Sequence, residues 1–243
     1  MAVVLDGTFS YRSSRGESVL APGAVLLGNP HDCFECGHQH STGDRCLSFS
    51  MDAVFYEAVL AEIPGGPRWL TLDRPAISPQ GRHAFLLPRA DAALDDPGAA
   101  EEFAYEVAAY VATRMTDAPA ATRVAASTAK RIQETARWIE SNADQPLPLV
   151  SLAAQACMSP YHFLREFKRV IGITPHQFIL SLRLRNAAKR LRHSDEPVLQ
   201  IAIESGFSDL SEFHRRFRRM LGVTPGEYRA RSNMKSMPNG KRA

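Results

Sequence analysis

Two stretches, LAAQACMSPYHFLREFKRVIGITPHQF (Leu152–Phe178) and IAIESGFSDLSEFHRRFRRMLGVTPGEY (Ile201–Tyr228), are copies of one another. Leu152, Ala153, Met158 and Ser159 recur 49 residues later as Ile201, Ala202, Phe207 and Ser208. Phe167, Lys168, Gly172, Thr174 and Pro175 recur 50 residues later as Phe217, Arg218, Gly222, Thr224 and Pro225. One residue is therefore inserted within the second copy. Self-similarity over such a length marks a duplicated supersecondary unit.

Each copy reads helix, tight turn, helix. In the first, Leu149–Ala156 is a short helix of small residues, which lets a second helix cross closely. Ser159 is a good N-cap and Pro160 suits the first helical position. Phe163, Phe167 and Val170 or Ile171 fall on the inward face. Tyr161, Leu164, Arg165 and Lys168 form the opposite stripe. In the second copy Gly206 marks the turn, where a positive φ favours glycine. Ser208 is the expected cap. Phe213, Phe217 and Met220 or Leu221 go inward, and Ser211, His214, Arg215 and Arg218 stay outside. Between the copies, Pro175 to about His193 reads as one helix with Leu180, Leu184, Ala187, Ala188 and Leu191 on its apolar face. A rigid spacer of that kind suits two Arg-bearing helices entering successive major grooves about 34 Å apart. Arg there can take both guanine acceptors.

Upstream, Ser127 or Thr128 is the expected cap of a helix to about Asn142, with Ile132, Ala136 and Ile139 on one face. TDAPAATRVAAST (Thr116–Thr128) reads as a linker. GAAEEFAYEVAAYVATRM before it is a helix whose stripe of Phe103, Val107, Tyr110 and Val111 exceeds what a thin β layer must cover; it either includes a dimer contact or packs on the region's own sheet. SVLAPGAVLLGNP, RCLSFSM and RWLTL read as short strands, making the first hundred residues mostly β before a closing helix; LLPRADAALDD adds a helical turn or two.

Charge divides at the same place. Residues 1–125 hold nine Lys/Arg and sixteen Asp/Glu, a balance of −7, whereas residues 126–243 hold twenty and ten, a balance of +10. That asymmetry suits a basic module meeting a polyanion, attached to an acidic module that does not. No apolar run reaches the roughly 18 residues of a membrane span, and MAVVLDGTFSYRSS is a poor signal peptide. A cytoplasmic location with reduced cysteines is the expectation.

The stretches MSPYHFLREFKRVIGITPHQF, RLRNAAKRL and IAIESGFSDLSEFHRRFRRMLGVTPGEYR resemble the AraC/XylS family of bacterial transcription regulators, from roughly Lys130 to Arg231. The resemblance implies a seven-helix DNA-binding domain with two recognition helices. It places base or phosphate contacts at Tyr161, Leu164 and Arg165, then Ser211, His214 and Arg215, with Lys168 and Arg218 on the same faces. Leu164 stands where some relatives carry a polar base reader, which suits a thymine methyl. The family couples this domain to an amino-terminal sensor, often cupin-like with dimerising helices. The expected fold is thus α+β. Residues 1–120 form a β-rich, cupin-like sensing and dimerisation region and 121–130 a linker; 131–232 form the double helix-turn-helix domain and 233–243 a disordered tail. The partners are a double-stranded DNA operator, RNA polymerase, an effector of unknown identity and a second copy of the chain, with no membrane.

HDCFECGHQHSTGDRC (His31–Cys46) remains. Cys36, His38 and His40 share one strand parity, Cys33 and His31 the other. Three readings stay open. Cys33, Cys36, His38, His40 and Cys46 supply the soft ligands of zinc or another soft transition metal such as copper(I). The thiols alone form a redox pair. Or these are ordinary residues around a pocket for an organic effector, since a buried cysteine behaves as a small hydrophobe. HQH is similar to the cupin metal motif, but its glutamate is missing and Asp44 is the nearest carboxylate. That weakens the alternative reading, a cupin-type metalloenzyme with an appended nucleic-acid-binding domain.

Overall fold

The computed structural model describes residues 1–29, 32–37, 43–62, 72–79, 86–95, 97–115 and 124–236. Its amino-terminal half begins with β1 (Ala2–Asp6), β2 (Phe9–Ser13), β3 (Gly16–Leu20) and β4 (Val25–Leu26). β5 (Phe34–Gly37), β6 (Arg45–Ser48), α1 (Ala53–Ala61), β7 (Ala76–Ile77), α2 (Leu86–Asp95) and α3 (Pro97–Met115) follow. The strands form two antiparallel sheets, ordered β6-β1-β4-β7 and β3-β2-β5.

Strand alternation explains the layering. Val3, Leu5, Val25, Leu27 and Ile77 send their side chains to one core with Leu86, Leu87 and Ala90 of α2 and Phe103, Val107 and Val111 of α3. Their neighbours Val4, Ala24, Leu26, Cys46 and Ala76 turn the other way, to a second core with Phe9, Tyr11 and Leu20 of the smaller sheet. The larger sheet thus buries both faces. Beyond the smaller sheet, Val19 and Ala21 pack into the core of the carboxy-terminal half.

Several expectations change here. Phe103, Val107, Tyr110 and Val111 are at most 5% exposed. The two-helix layer of α2 and α3 consumes the whole stripe, so none of it is offered to a second copy. α1 falls in a stretch for which no element was expected, and Asp52 starts it by accepting the Phe55 N–H at 2.8 Å. The strand expected at RWLTL lies outside the described residues, apart from Leu72.

The carboxy-terminal half is α4 (Ala126–Ser141), α5 (Leu149–Gln155), α6 (Pro160–Ile171), α7 (Pro175–His193), α8 (Val198–Glu204), α9 (Leu210–Leu221) and α10 (Pro225–Ser236). α4 is capped at Ala125, ahead of Ser127, and so begins inside the expected linker. α10 continues to Ser236, into the expected tail. α7 serves two cores. Phe178, Ile179 and Leu182 join α4, α5 and α6, while Leu184, Ala187, Ala188 and Leu191 join α8 and α9. No helix among the described residues is long and apolar enough to cross a membrane.

Candidate nucleic-acid interface

The second helix of each unit, α6 or α9, is started and stopped by local chemistry. Ser159 accepts the His162 N–H and Pro160 opens α6. In α9 the cap is Asp209, accepting the Ser211 N–H at 2.8 Å, where Ser208 was expected. The inserted residue of the second copy falls in this region, so the carboxylate takes the hydroxyl's place. Gly172 and Gly222 end both helices with φ of 95° and 76°. Thr174 and Thr224 then cap the following helices and exchange bonds with Gln177 and Glu227. The paired Gly-x-Thr-Pro sequences are thus a stop followed by a start.

Phe163 and Phe167 of α6, and Phe213 and Phe217 of α9, are fully buried. Their opposite faces are therefore held outward. Tyr161, Arg165, Lys168, Ser211, His214, Arg215 and Arg218 are exposed, and Leu164 is half-buried. His214, Arg215 and Arg218 line a hollow with Arg219 and Thr224. Arg219 was absent from the expected site although its spacing placed it one position from the stripe. Glu166 was also missed. It is 4% exposed and accepts from Arg165 Nε at 3.0 Å and Arg169 at 3.4 Å. Arg165 is therefore oriented by a neighbour, while Arg215 has only Glu212, at 3.9 Å, among the described residues.

Arg183 on α7 fixes one unit to the other. Its guanidinium donates to the carbonyls of Ala143 and Gln145, after α4, and of Gly206, in the second turn, at 2.6, 2.7 and 2.7 Å. Three carbonyls without a helical partner are satisfied at once, and the spacer is locked to both flanks.

The cysteine and histidine cluster is only partly described, because His31, His38 and His40 lie outside the described residues. Cys33 is exposed, while Cys36 and Cys46 both pack against the core between the sheets. Burial pushes the Cys46 thiol up to about 12, with Asp44 adding to the effect, and raises Cys36 as well. Both thiols are thereby less acidic than a free cysteine, and Cys46 Sγ donates to Asp44 Oδ2 at 3.8 Å. No group of three metal-binding side chains occurs among the described residues.

A helix-turn-helix domain family matches residues 152–231. The TetD protein of transposon Tn10 from Escherichia coli is 39% identical over 98 residues, covering 40% of this chain and 71% of that protein. The regulatory protein SoxS of Escherichia coli K12 is 35% identical over 102 residues, covering 42% of this chain and 95% of that one. Other relatives are matched over about a third of their own length. The DNA-binding domain of the transcriptional factor AdpA, solved with a target DNA, aligns with 45% of this chain and 98% of its own, at 31% identity and a TM-score of 0.43.

Proposed function

Because the chain belongs to the AraC/XylS family of bacterial transcription regulators, we propose that it binds specific DNA sequences by laying α6 and α9 in successive major grooves. The observation that carries this reading is the pair of outward cationic faces on two units joined by α7 and Arg183. Tyr161, Leu164, Arg165 and Lys168 read or grip one groove; Ser211, His214, Arg215 and Arg218, with Arg219, the next. Arg takes guanine bidentately and Leu164 meets a thymine methyl. The cationic surplus makes affinity fall steeply with salt as counterions are released.

The amino-terminal half, residues 1–120, is the regulatory region in this reading, and 131–232 the DNA-binding domain. Its two stacked antiparallel sheets support a cupin-like sensor. The half-buried thiols of Cys36 and Cys46, both held less acidic than usual, favour an organic effector over a redox pair, because the thiolate is the reactive form. A regulator needs no turnover, which sets this reading apart from the metalloenzyme alternative.

The experiment is selection of duplexes from a random-sequence pool by the full chain, followed by footprinting. Two protected segments on one face, about one helical turn apart, are expected. Recovery of no preferred sequence would refute the reading.

A further inference from the structure

Arg185 lies on the spacer helix and takes no part in either outward face. At 2% exposure it is more deeply buried than any other charged side chain among the described residues. Its partners come from the other half of the chain. Nε and Nη2 donate to the two carboxylate oxygens of Asp91, on α2, at 2.8 and 3.0 Å. Nη1 donates to Asp6 at 2.5 Å and to the carbonyl of Leu5, at the end of β1. Arg45 stands 2.7 Å from Asp6 and Lys189 within 3.9 Å of both carboxylates.

A second contact closes beside it. The β1–β2 turn rests on α4: the Gly7 N–H donates to Glu140 Oε2 at 2.9 Å and the Thr8 hydroxyl to Glu140 Oε1. The Thr8 carbonyl accepts from Arg137 and Gln133. At a third point Gly172 meets Ser78 and Pro79 so closely that a Cβ would stand 2.5 Å from the Ser78 side chain. These three contacts land on α4, α6 and α7, the first unit and the spacer.

We propose that Arg185 is a positioning residue for DNA binding: its junction with Asp91 and Asp6 holds the first unit and spacer in one pose against the amino-terminal half, and through it that half acts on affinity. The inference rests on the DNA-binding reading above. A buried guanidinium cannot lose one carboxylate cheaply, because an uncompensated charge is left behind. The junction is therefore closed with both aspartates or open with all groups hydrated, the two-state behaviour that transmission between sites requires. Tyr161 remains 76% exposed while the junction is closed, so the closed form orients the reading face and does not cover it.

The test uses the full chain and a duplex that the wild type selects from a random pool. Arg185→Gln and Asp91→Asn should each weaken binding about tenfold. The double variant should be no weaker than the worse single, because both remove one junction. Arg185→Lys should restore part of the loss. Amide exchange at Gly7 should accelerate in Arg185→Gln. If that variant fails to fold, Asp6→Asn, at the half-exposed end, is expected to weaken binding about threefold. Affinities within twofold of wild type, or single losses that multiply in the double variant, would overturn the positioning role alone. A wild-type chain that selects no duplex would overturn the DNA-binding reading and this inference with it.

Discussion

The first helix-turn-helix unit turns at Cys157 and the second at Gly206, equivalent places in the repeat. Both residues have positive φ, 53° and 87°, and both are followed by the same backbone bonds, Met158 N–H to Ala153 and Phe207 N–H to Ala202. The difference lies around them. Cys157 points its side chain into solvent. A Cβ at Gly206 would stand 2.7 Å from the Asp144 carbonyl and 2.8 Å from Arg183 Nε. One turn is free to carry a side chain at some backbone strain; the other is closed by the residue that ties the two units together.

The two turns differ most in what Gly206 tolerates. Gly206→Ala meets both a left-handed backbone and a crowded site, so about 3 kcal/mol or more of stability should be lost. Displacement of Arg183 would also slacken the spacing between α6 and α9. Chemical denaturation of the full chain measures the first effect and affinity for a selected duplex the second. A loss below about 1 kcal/mol would mean that the second turn has room after all.

The reading helices differ in a way that sharpens the contrast. Arg215→Ala and Arg165→Ala should each cost about 1–3 kcal/mol of specific affinity while leaving the fold intact, as both side chains are exposed. The larger loss belongs to Arg215, whose guanidinium is hardly engaged within the chain. Arg165 must leave buried Glu166 to reach a base. Equal, negligible losses in titrations of both variants would place the reading face elsewhere.

The repeat, its two pairs of buried phenylalanines, the spacer helix and the outward cations were all legible, because periodicity and caps are local properties of a sequence. Arg185, Asp91 and Glu140 were not. In sequence each is one more charge on a helix, and only packing of the two halves buries it. The α3 stripe left two readings open for a related reason. Its width was judged against a β layer alone, without the α2 layer that covers Phe103 and Val107. Asp209 displaced Ser208 as a cap because two good capping residues are adjacent, and periodicity cannot choose between them.

The amino-terminal half clasps the first unit, and that contact carries a pH dependence. Burial raises the Glu140 carboxyl from its ordinary value to about 7; Asp6 adds to the rise, while bonds from Thr8 and Gly7 and the charge of Arg137 oppose it. The folded state therefore holds this proton more tightly than the unfolded state does. Its contribution is fully present below about pH 4.5 and is lost as pH rises to about 7. Asp6 works in the other direction: burial alone would raise it, but Arg185, Lys189 and Arg45 hold it below the usual range, so its contribution is lost only in acid. Between pH 5 and 7, then, Glu140 governs. Glu140→Gln should flatten the decline and gain on the order of 1 kcal/mol at pH 8. Unfolding midpoints measured across that range decide it, and an unchanged slope would rule the carboxyl out. The second unit, which shows no such clasp among the described residues, should show no matching change in amide exchange.

The smallest effect is expected at the first turn. A non-glycine residue in the left-handed region carries roughly 1–2 kcal/mol of strain. Cys157→Gly removes it but adds freedom to the unfolded chain, which takes back about 0.4–1 kcal/mol. The exposed thiol forfeits little packing. The net expectation is a gain of about 0.5 kcal/mol, a rise of about 1–2 °C in melting temperature for a chain of this size. DNA affinity should not move, since the turn touches neither reading face. A fall in melting temperature would show that the Cys157 side chain has a partner that its exposure conceals. The reverse exchange, Gly206→Cys, should fail as Gly206→Ala does. If each turn accepted either residue, backbone conformation alone would set the preference. The expected asymmetry instead assigns it to the Asp144 carbonyl and Arg183, the contacts that only the second unit brings to its turn.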